Sequence, residues 1–274
     1  MPMLRALKNF LHRLSPWAGV RLPTGPIPEA WPSIVADRVP LAARLENEDR
    51  ERLYRLMQVF LAEVPIEGVA GLEVTEEVRA TIAAQACLLL LHMSYPRYTR
   101  VRRVLVYPWT FVPRTAPTLA SGHIVPPEVP LRGQAWPTGV VVLGWDAVEH
   151  DTVSSTGGGN VVLHEFAHML DVEDGSMDGI PVLDSGSAYR QWSALLPTRF
   201  SEHVARTEVG ADTTLDPYGA QNRAEFFAVA TETFFERPFD LLEGEPELYR
   251  LLADFYGLDP ASVSRAAPRT LESP

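Results

Sequence analysis

Two histidines, His164 and His168, stand four residues apart in the sequence His-Glu-Phe-Ala-His. On a helix this spacing places both imidazoles on one face, one turn apart, so that a nitrogen of each ring can reach the same metal ion. Glu165 lies about 100° around the helix, beside such a metal rather than among its ligands. Zinc lowers the pKa of a coordinated water to about 7, so a carboxylate at this position is an adequate base for that water. The spacing therefore predicts a zinc-dependent hydrolase.

The residues around this motif favour a buried helix. Asn160 is of a type that caps helices, and almost every position from 161 to 170 outside the motif is apolar. Polar side chains are costly to bury without a partner. The alternative, two core histidines with Glu165 in a salt bridge, gives no functional reason for that cost. We predict that the metal helix runs from Val161 to about Val172.

The third metal ligand is harder to assign. Zinc in a hydrolase usually has three protein ligands and one water. Asp171 lies on the same face as the two histidines, but side chains on a straight helix form a parallel stripe and do not converge on one point. We therefore interpret Asp171 as a carboxylate that accepts the far N–H of a ligand histidine. Glu173, Asp174 and His203 are weaker candidates.

Two further carboxylates, Glu225 and Glu232, lie seven residues apart in a later segment that is predicted to be helical. Seven residues are nearly two helical turns, so both side chains share one face. Glu225, among small and aromatic neighbours, is the better candidate for the third ligand, and Glu232 is the second choice. The residues alone leave open the alternative that either one is a carboxylate on a helix surface.

The amino-acid composition of the chain limits the classes of function that it can have. The chain has 24 basic and 35 acidic residues, a net charge of −11. That balance works against sequence-independent attraction to nucleic acid, although it permits binding to a basic protein surface. Cys87 is the single cysteine, so no internal disulfide can form. The longest uncharged run, residues 80–96, is too short and polar to span a bilayer, and charges interrupt the apolar residues of 1–17, unlike a secretory signal. We expect a cytoplasmic protein.

The pattern of the chain predicts one α+β domain with a helical majority and a small sheet. Residues 1–40 are expected to be an N-terminal amphipathic helix and a Pro-rich arm, residues 41–258 the domain, and residues 259–274 a C-terminal tail. The Pro-rich stretch 16–40 is expected to be extended. The predicted helices are Asn47–Ala62, Val74–His92, Ser187–Leu196, Asn222–Phe235 and Pro246–Tyr256. The predicted strands are Val101–Pro108 and Gly139–Trp145.

The strand Gly139–Trp145 has a possible role in binding substrate. We predict that it is an edge strand beside the metal helix, where an extended peptide can pair with it through main-chain hydrogen bonds. An ordinary core strand is the alternative, because a run of three valines is compatible with either position.

Several longer stretches resemble the Mlc titration factor A family of zinc peptidases, and the resemblance covers the body of the chain from about residue 45 to 255. They are LEVTEEVRATIAAQACLLLL (72–91), VLVYPWTF (104–111), AWPTGVVVLGWDAV (135–148), NVVLHEFAHMLDVEDG (160–175) and YGAQNRAEFFAVATETFF (218–235). The resemblance implies a zincin-like metallopeptidase domain, with a small mixed sheet whose edge strand lies beside the metal helix.

The resemblance also implies roles for particular residues. One zinc ion per chain would be bound by His164, His168 and Glu225, the last of these in the family's A-E-x-F-A-V segment. The active-site tyrosine of the family corresponds to Tyr218, whose hydroxyl can donate to the oxyanion formed during peptide hydrolysis. By itself, a tyrosine between a proline and a glycine is typical of a turn. Residues 115–134 depart from the family pattern, so the resemblance does not extend to substrate choice.

Two functions follow from these observations. The first is a zinc-dependent peptidase that hydrolyses peptide bonds with Glu165 as the base, and the resemblance adds aminopeptidase-type activity on small substrates. The second is a regulatory binding protein, since members of the family bind Mlc, a transcriptional repressor of glucose uptake through the sugar phosphotransferase system. Such a protein would sequester the repressor by protein contact, without direct contact with nucleic acid.

Overall fold

The structure is a computed structural model, and it describes residues 22–93, 98–110, 132–153 and 159–266. The predicted N-terminal amphipathic helix and residues 267–274 of the predicted tail lie outside these described residues.

Four short strands, β1 (Ile66–Gly68), β2 (Arg103–Tyr107), β3 (Gly133–Ala135) and β4 (Val140–Gly144), form one mixed sheet. Their order is β1-β2-β4-β3. β1, β2 and β4 are parallel, whereas β3 is antiparallel to β4. The two central strands are rich in valine, which suits a pleated surface that is buried. The α+β class is therefore confirmed.

The edge strand is not the one that the sequence indicates. β4 lies in the interior of the sheet, between β2 and β3, so the prediction that Gly139–Trp145 is an edge strand is wrong. The strand at this side of the sheet is β3, whose sequence is Gly-Gln-Ala. Three residues of low strand propensity give no readable pattern, and the pairing with β4 is what makes them a strand.

Helices make up most of the rest of the described chain. They are α1 (Trp31–Arg38), α2 (Pro40–Arg44), α3 (Asn47–Glu63), α4 (Glu76–Leu88), α5 (Trp145–Val153), α6 (Val161–Asp171), α7 (Gly186–Glu208), α8 (Arg223–Glu236), α9 (Pro238–Gly244), α10 (Pro246–Tyr256) and α11 (Pro260–Ala266), with 3₁₀ turns at Val172–Asp174 and Pro217–Ala220. The predicted helices that correspond to α3, α4, α6, α8 and α10 are confirmed to within a few residues. None of the helices in the described part of the chain has both the length and the apolar character needed to cross a bilayer.

α7 is longer than the sequence predicts. The predicted helix ends at Leu196, before Pro197, but α7 continues through the proline to Glu208. A proline inside a helix leaves the carbonyl four residues earlier without its amide partner. That residue is Ser193, which is exposed, so solvent can satisfy the carbonyl.

The Pro-rich stretch is only partly extended. Residues 31–38 form α1, in which Trp31 and Val35 are buried in the core and the indole N–H of Trp31 donates to Glu76. Pro32 lies in the first turn of this helix, a position where proline is favoured because no amide is lost from the hydrogen-bonding pattern. The expectation of an extended arm is wrong for these residues.

The predicted C-terminal tail also begins with ordered structure. α11 lies inside it, and Ala261 is buried with its amide donating to Tyr249 Oη over 3.0 Å. A polar composition after Asp259 hides this contact, which depends on the tertiary position of α10.

The core surrounds α6. The Phe166 ring lies 5.0 Å from the Tyr98 ring and 5.6 Å from the Phe60 ring, both in edge-to-face geometry. α8 and α4 pack against α6, as do β3 and β4. A helix with neighbours around most of its circumference is apolar on most faces. The motif residues His164, Glu165 and His168 lie where α6 faces α8 and β3.

Candidate metal centre

The start of α6 is fixed by polar groups from the residue before it and from α5. The Asn160 side chain accepts a hydrogen bond from Leu163 N over 3.0 Å, so the predicted cap is confirmed. Asp151, at the end of α5, accepts from Val161 N over 2.9 Å and pairs with Arg132. Carboxylates at a helix N-terminus satisfy free N–H groups and interact favourably with the helix dipole. These contacts set the position and the rotation of α6 in the core.

Three ligand atoms converge where α6 faces α8. His164 Nε2 lies 3.0 Å from Glu225 Oε2, and His168 Nε2 lies 3.3 Å from the same oxygen. The two Nε2 atoms are 3.1 Å apart. Among the described residues, these three form the group of histidine and carboxylate side chains positioned to bind a metal ion.

The geometry fits a small divalent cation. Ligand atoms about 2.0–2.2 Å from zinc in a tetrahedral arrangement are about 3.3–3.6 Å from one another, which is close to the observed separations. Two imidazoles and one carboxylate are a donor set that suits zinc and other first-row transition metals. His168 and Glu225 are buried, and His164 is only slightly exposed, so a bound ion would be held in a largely dry site.

The charges of these groups are strongly coupled. Burial disfavours the charged form of His164, but Glu232 and Glu225 outweigh it and raise its pKa well above the usual range. Burial also opposes ionisation of Glu225, yet His168 and His164 hold the pKa of this carboxyl below its usual range. A metal ion needs neutral imidazole nitrogens as ligands, so metal binding at this site releases protons.

Glu165 lies beside the ligands and not among them. Its side chain is buried on α6, and burial raises the pKa of this carboxyl to about 7 against the opposing effect of both histidines. Strand β3 passes close to it, because a Cβ added to Gly133 would lie 2.7 Å from Glu165 Oε1. A carboxyl that is near half-ionised at neutral pH can both accept and donate a proton.

Glu232 lies on the other side of His164. Its Oε1 is 2.6 Å from His164 Nδ1, the ring nitrogen that faces away from Glu225. Its Oε2 accepts a hydrogen bond from Asn160 N over 2.5 Å. The second-choice prediction of Glu232 as the third ligand is therefore wrong, since the structure places Glu225 at the ligand position and Glu232 behind the histidine.

Asp171 does not make the contact predicted for it. Its Oδ2 accepts from Gly179 N over 2.9 Å, and burial raises its pKa to about 7. Asp171 Oδ1 and His168 Nδ1 are both buried without a hydrogen-bond partner among the described residues. The predicted hydrogen bond from a ligand histidine is absent because the carboxylate is directed at the loop that follows the 3₁₀ turn.

The weaker third-ligand candidates have other partners. Glu173 accepts hydrogen bonds from the amide and hydroxyl of Thr99, Asp174 accepts from Ser176 N, and His203 donates to the carbonyl of Asp216. None of the three belongs to the ligand group.

Tyr218 is at the rim of the site. It lies in the 3₁₀ turn Pro217–Ala220, and its ring centroid is 5.9 Å from that of His164. Its side chain is partly exposed, while burial, followed by Glu225 and Glu165, raises the pKa of its hydroxyl. The structure thus brings Tyr218 to the metal group, with its phenol protonated at neutral pH.

Sequence reasoning missed one residue of this site and gave another a different role. Gly133 belongs to no recognisable motif, and its closeness to Glu165 depends on the packing of β3 on α6. Glu232 had a usable signal, because a residue seven positions from Glu225 shares its helix face. Glu225 and Glu232 both face α6, one on each side of His164. Periodicity alone could not tell which of the two is positioned as a ligand.

Comparison with known proteins agrees with this geometry. Residues 14–257 match the family described as glucose-regulated metallo-peptidase M90. The chain belongs to this family. Within the matched range lie all of the residues of the metal group, together with Glu165 and Tyr218.

Individual relatives match over most of their length. An uncharacterized protein of Synechocystis sp. is 37% identical over 246 residues, which cover 89% of each chain. The Mlc titration factor A of Cronobacter sakazakii is 30% identical over 252 residues, covering 89% of this chain and 91% of the relative. The protein of the same name from Pectobacterium atrosepticum is 30% identical over 235 residues, covering 85% and 87%. The family resemblance deduced from the sequence is confirmed.

Removal of a ligand should abolish metal binding. We expect the purified M90 chain to hold about one metal ion, as a three-ligand site does, and His164→Ala to hold almost none, because two remaining ligands bind a metal far more weakly. Metal content is measured by elemental analysis. His203→Ala is the matched control, since it removes a buried histidine that is not among the three candidate ligands. Equal metal content in wild type and His164→Ala would contradict the assignment.

Proposed function

We propose that this chain is a zinc-dependent peptidase with a zincin-like site. The observation that carries the proposal is the convergence of His164 Nε2, His168 Nε2 and Glu225 Oε2 within 3.3 Å of one another. Two histidines and a glutamate are the ligand set of known zinc peptidases. Zinc held there would act as a Lewis acid on water and on the scissile carbonyl.

Glu165 is the proposed general base and acid. It takes a proton from the attacking water as the new C–O bond forms, and it gives this proton to the leaving amine as the C–N bond breaks. Its pKa near 7 suits transfer in both directions. A nearby cation favours the ionised form, which is the form required first.

Tyr218 is the proposed donor to the oxyanion. Its hydroxyl is protonated at neutral pH, and burial raises its pKa further above neutrality. A donor at the rim of the site can approach the substrate carbonyl when the peptide is bound, and such donors act by stabilising the charge that develops in the transition state.

The substrate is proposed to pair with β3. Arg132 O accepts from Gly144 N and Trp136 N donates to Val140 O, each over 2.9 Å, so these alternate residues face β4. Gly133 and Ala135 therefore direct their N–H and C=O groups to the opposite side. Within the described ranges no strand occupies that side. An extended peptide there would lie directly beside Glu165.

A second function is suggested by the names of the relatives. Several of them are called Mlc titration factor A. We propose that this chain also binds a repressor of the Mlc type, as a contact between proteins that does not need hydrolysis. Binding of purified Mlc to wild type and to a hydrolysis-deficient variant separates the two functions, because sequestration predicts equal affinity for both.

The variant Glu165→Gln tests the peptidase. It keeps the shape of the side chain and the three metal ligands but removes the base, so metal content should stay at the wild-type value. Peptide hydrolysis should fall by about 10²–10⁴-fold. Rates are measured on a free peptide and on its N-acetylated form, since aminopeptidase-type activity requires the free amine. Glu243→Gln, an exposed position on α9, is the control. Hydrolysis at the native rate by Glu165→Gln would refute this mechanism.

The variant Gly133→Ala tests the contact between β3 and Glu165. The added methyl would lie within 2.8 Å of Glu165 and 2.6 Å of Val161, so the strand or the carboxylate must move. A displacement of about 1 Å can lower a rate by about 10²-fold. We expect a loss of that size with metal content unchanged. Gly186→Ala has only an arginine tip 3.7 Å away and should be neutral. An unchanged rate in Gly133→Ala would show that β3 does not define the position of Glu165.

A further inference from the structure

We propose that Glu232 is a positioning residue that fixes the ring orientation and the proton of His164, and so sets the metal affinity of the site. This inference rests on the proposed metal centre. It goes beyond that centre because Glu232 contributes no ligand atom to it. The observation that carries it is the bridge formed by the two carboxylate oxygens, one to His164 Nδ1 and the other to Asn160 N.

The first contact determines which nitrogen of His164 is free. A carboxylate only accepts hydrogen bonds, so at 2.6 Å the proton lies on Nδ1 and is donated to Glu232 Oε1. In the neutral ring the lone pair is then on Nε2. This is the atom that points at His168 Nε2 and Glu225 Oε2. A carboxylate behind a ligand histidine fixes the tautomer and increases the basicity of the ligand nitrogen.

The second contact ties this carboxylate to the start of α6. Asn160 N donates to Glu232 Oε2, and Asn160 caps the helix that carries His164. The preceding residue must be small here, because a Cβ on Gly159 would lie 3.0 Å from Glu232 Oε2, and its φ of 153° is in a region that favours glycine. Glu232 therefore holds both the backbone and the side chain that position one ligand.

The same helix contains a matched comparison. Glu236 lies one turn after Glu232 on α8 and accepts a hydrogen bond from the Asn160 side chain over 2.8 Å, but it is exposed whereas Glu232 is half-buried. It makes no contact with His164 among the described contacts of the site. A variant at Glu236 therefore reports the cost of losing a carboxylate that contacts Asn160, without loss of the contact with His164.

The test compares the zinc affinities of wild type, Glu232→Gln and Glu236→Gln. Glutamine keeps the shape of glutamate but has a single acceptor oxygen, so at position 232 it cannot accept from both His164 and Asn160. Affinity is measured by competition with a chromogenic chelator. We expect Glu232→Gln to bind zinc about 10–100-fold more weakly than wild type, and Glu236→Gln to bind within about threefold of wild type, since no ligand contact is lost.

Two further measurements separate positioning from a merely structural role. The unfolding midpoints of the metal-free variants show whether either substitution damages the fold. Nitrogen-15 NMR of the zinc-loaded chain identifies the protonated nitrogen of His164, which we expect to be Nδ1, with its proton protected from exchange in wild type and exchanging faster in Glu232→Gln.

The possible results differ in what they overturn. Equal losses of affinity in Glu232→Gln and Glu236→Gln would overturn the positioning role and leave the metal centre intact. A proton on Nε2 of zinc-loaded His164 would overturn both the positioning role and the assignment of Nε2 as the ligand atom of His164. Absence of zinc binding in wild type would overturn the proposed metal centre itself, and the role of Glu232 with it.

Discussion

Burial of charge is the constraint on which this structure depends. Glu165, Glu225 and Glu232 all lie near one imidazole, His164, in a region with little access to solvent. Removing carboxylates from water costs several kcal/mol each unless an opposite charge or a set of hydrogen bonds compensates. In the described structure the two histidines provide part of that compensation. A divalent cation bound where the ligand atoms converge would provide the rest, and so acidic a site could then be stable within the core.

The scaffold satisfies the same constraint in the groups around the site. α6 begins in the core, where its free N–H groups need partners, and Asp151, Asn160 and Glu232 supply them. Glu232 then serves His164 with its other oxygen. Glu232 thus belongs both to the carboxylates that stabilise the start of α6 and to those that surround the candidate metal ligands. Binding and folding are physically linked in such an arrangement, because a metal ion that holds α6 to α8 also stabilises the packing of the two helices.

Periodicity and capping predicted those parts of the site that lie within one helix. The boundaries of α6, the cap at Asn160 and the common face of His164 and His168 all follow from local sequence. Contacts between different helices and strands could not be predicted from local sequence in the same way. Glu225 and Glu232 share a face, so only the packing of α8 on α6 separates the ligand from the residue behind it, and the resemblance to a known family was needed to choose. The direction of Asp171 depends on Gly179, in the following loop.

The same distinction applies to the fold. β4 has a clear strand pattern, but its interior place is due to β3, whose three residues have none. Trp31 is buried because its helix packs on α4, although prolines around it indicate an extended chain.

X-ray absorption at the zinc edge of the purified, metal-loaded chain tests the central claim most directly. We predict two imidazole nitrogens and a carboxylate oxygen at about 2.0–2.2 Å. A shell of sulfur atoms, or one of oxygen atoms without imidazole, would contradict the assignment of His164, His168 and Glu225.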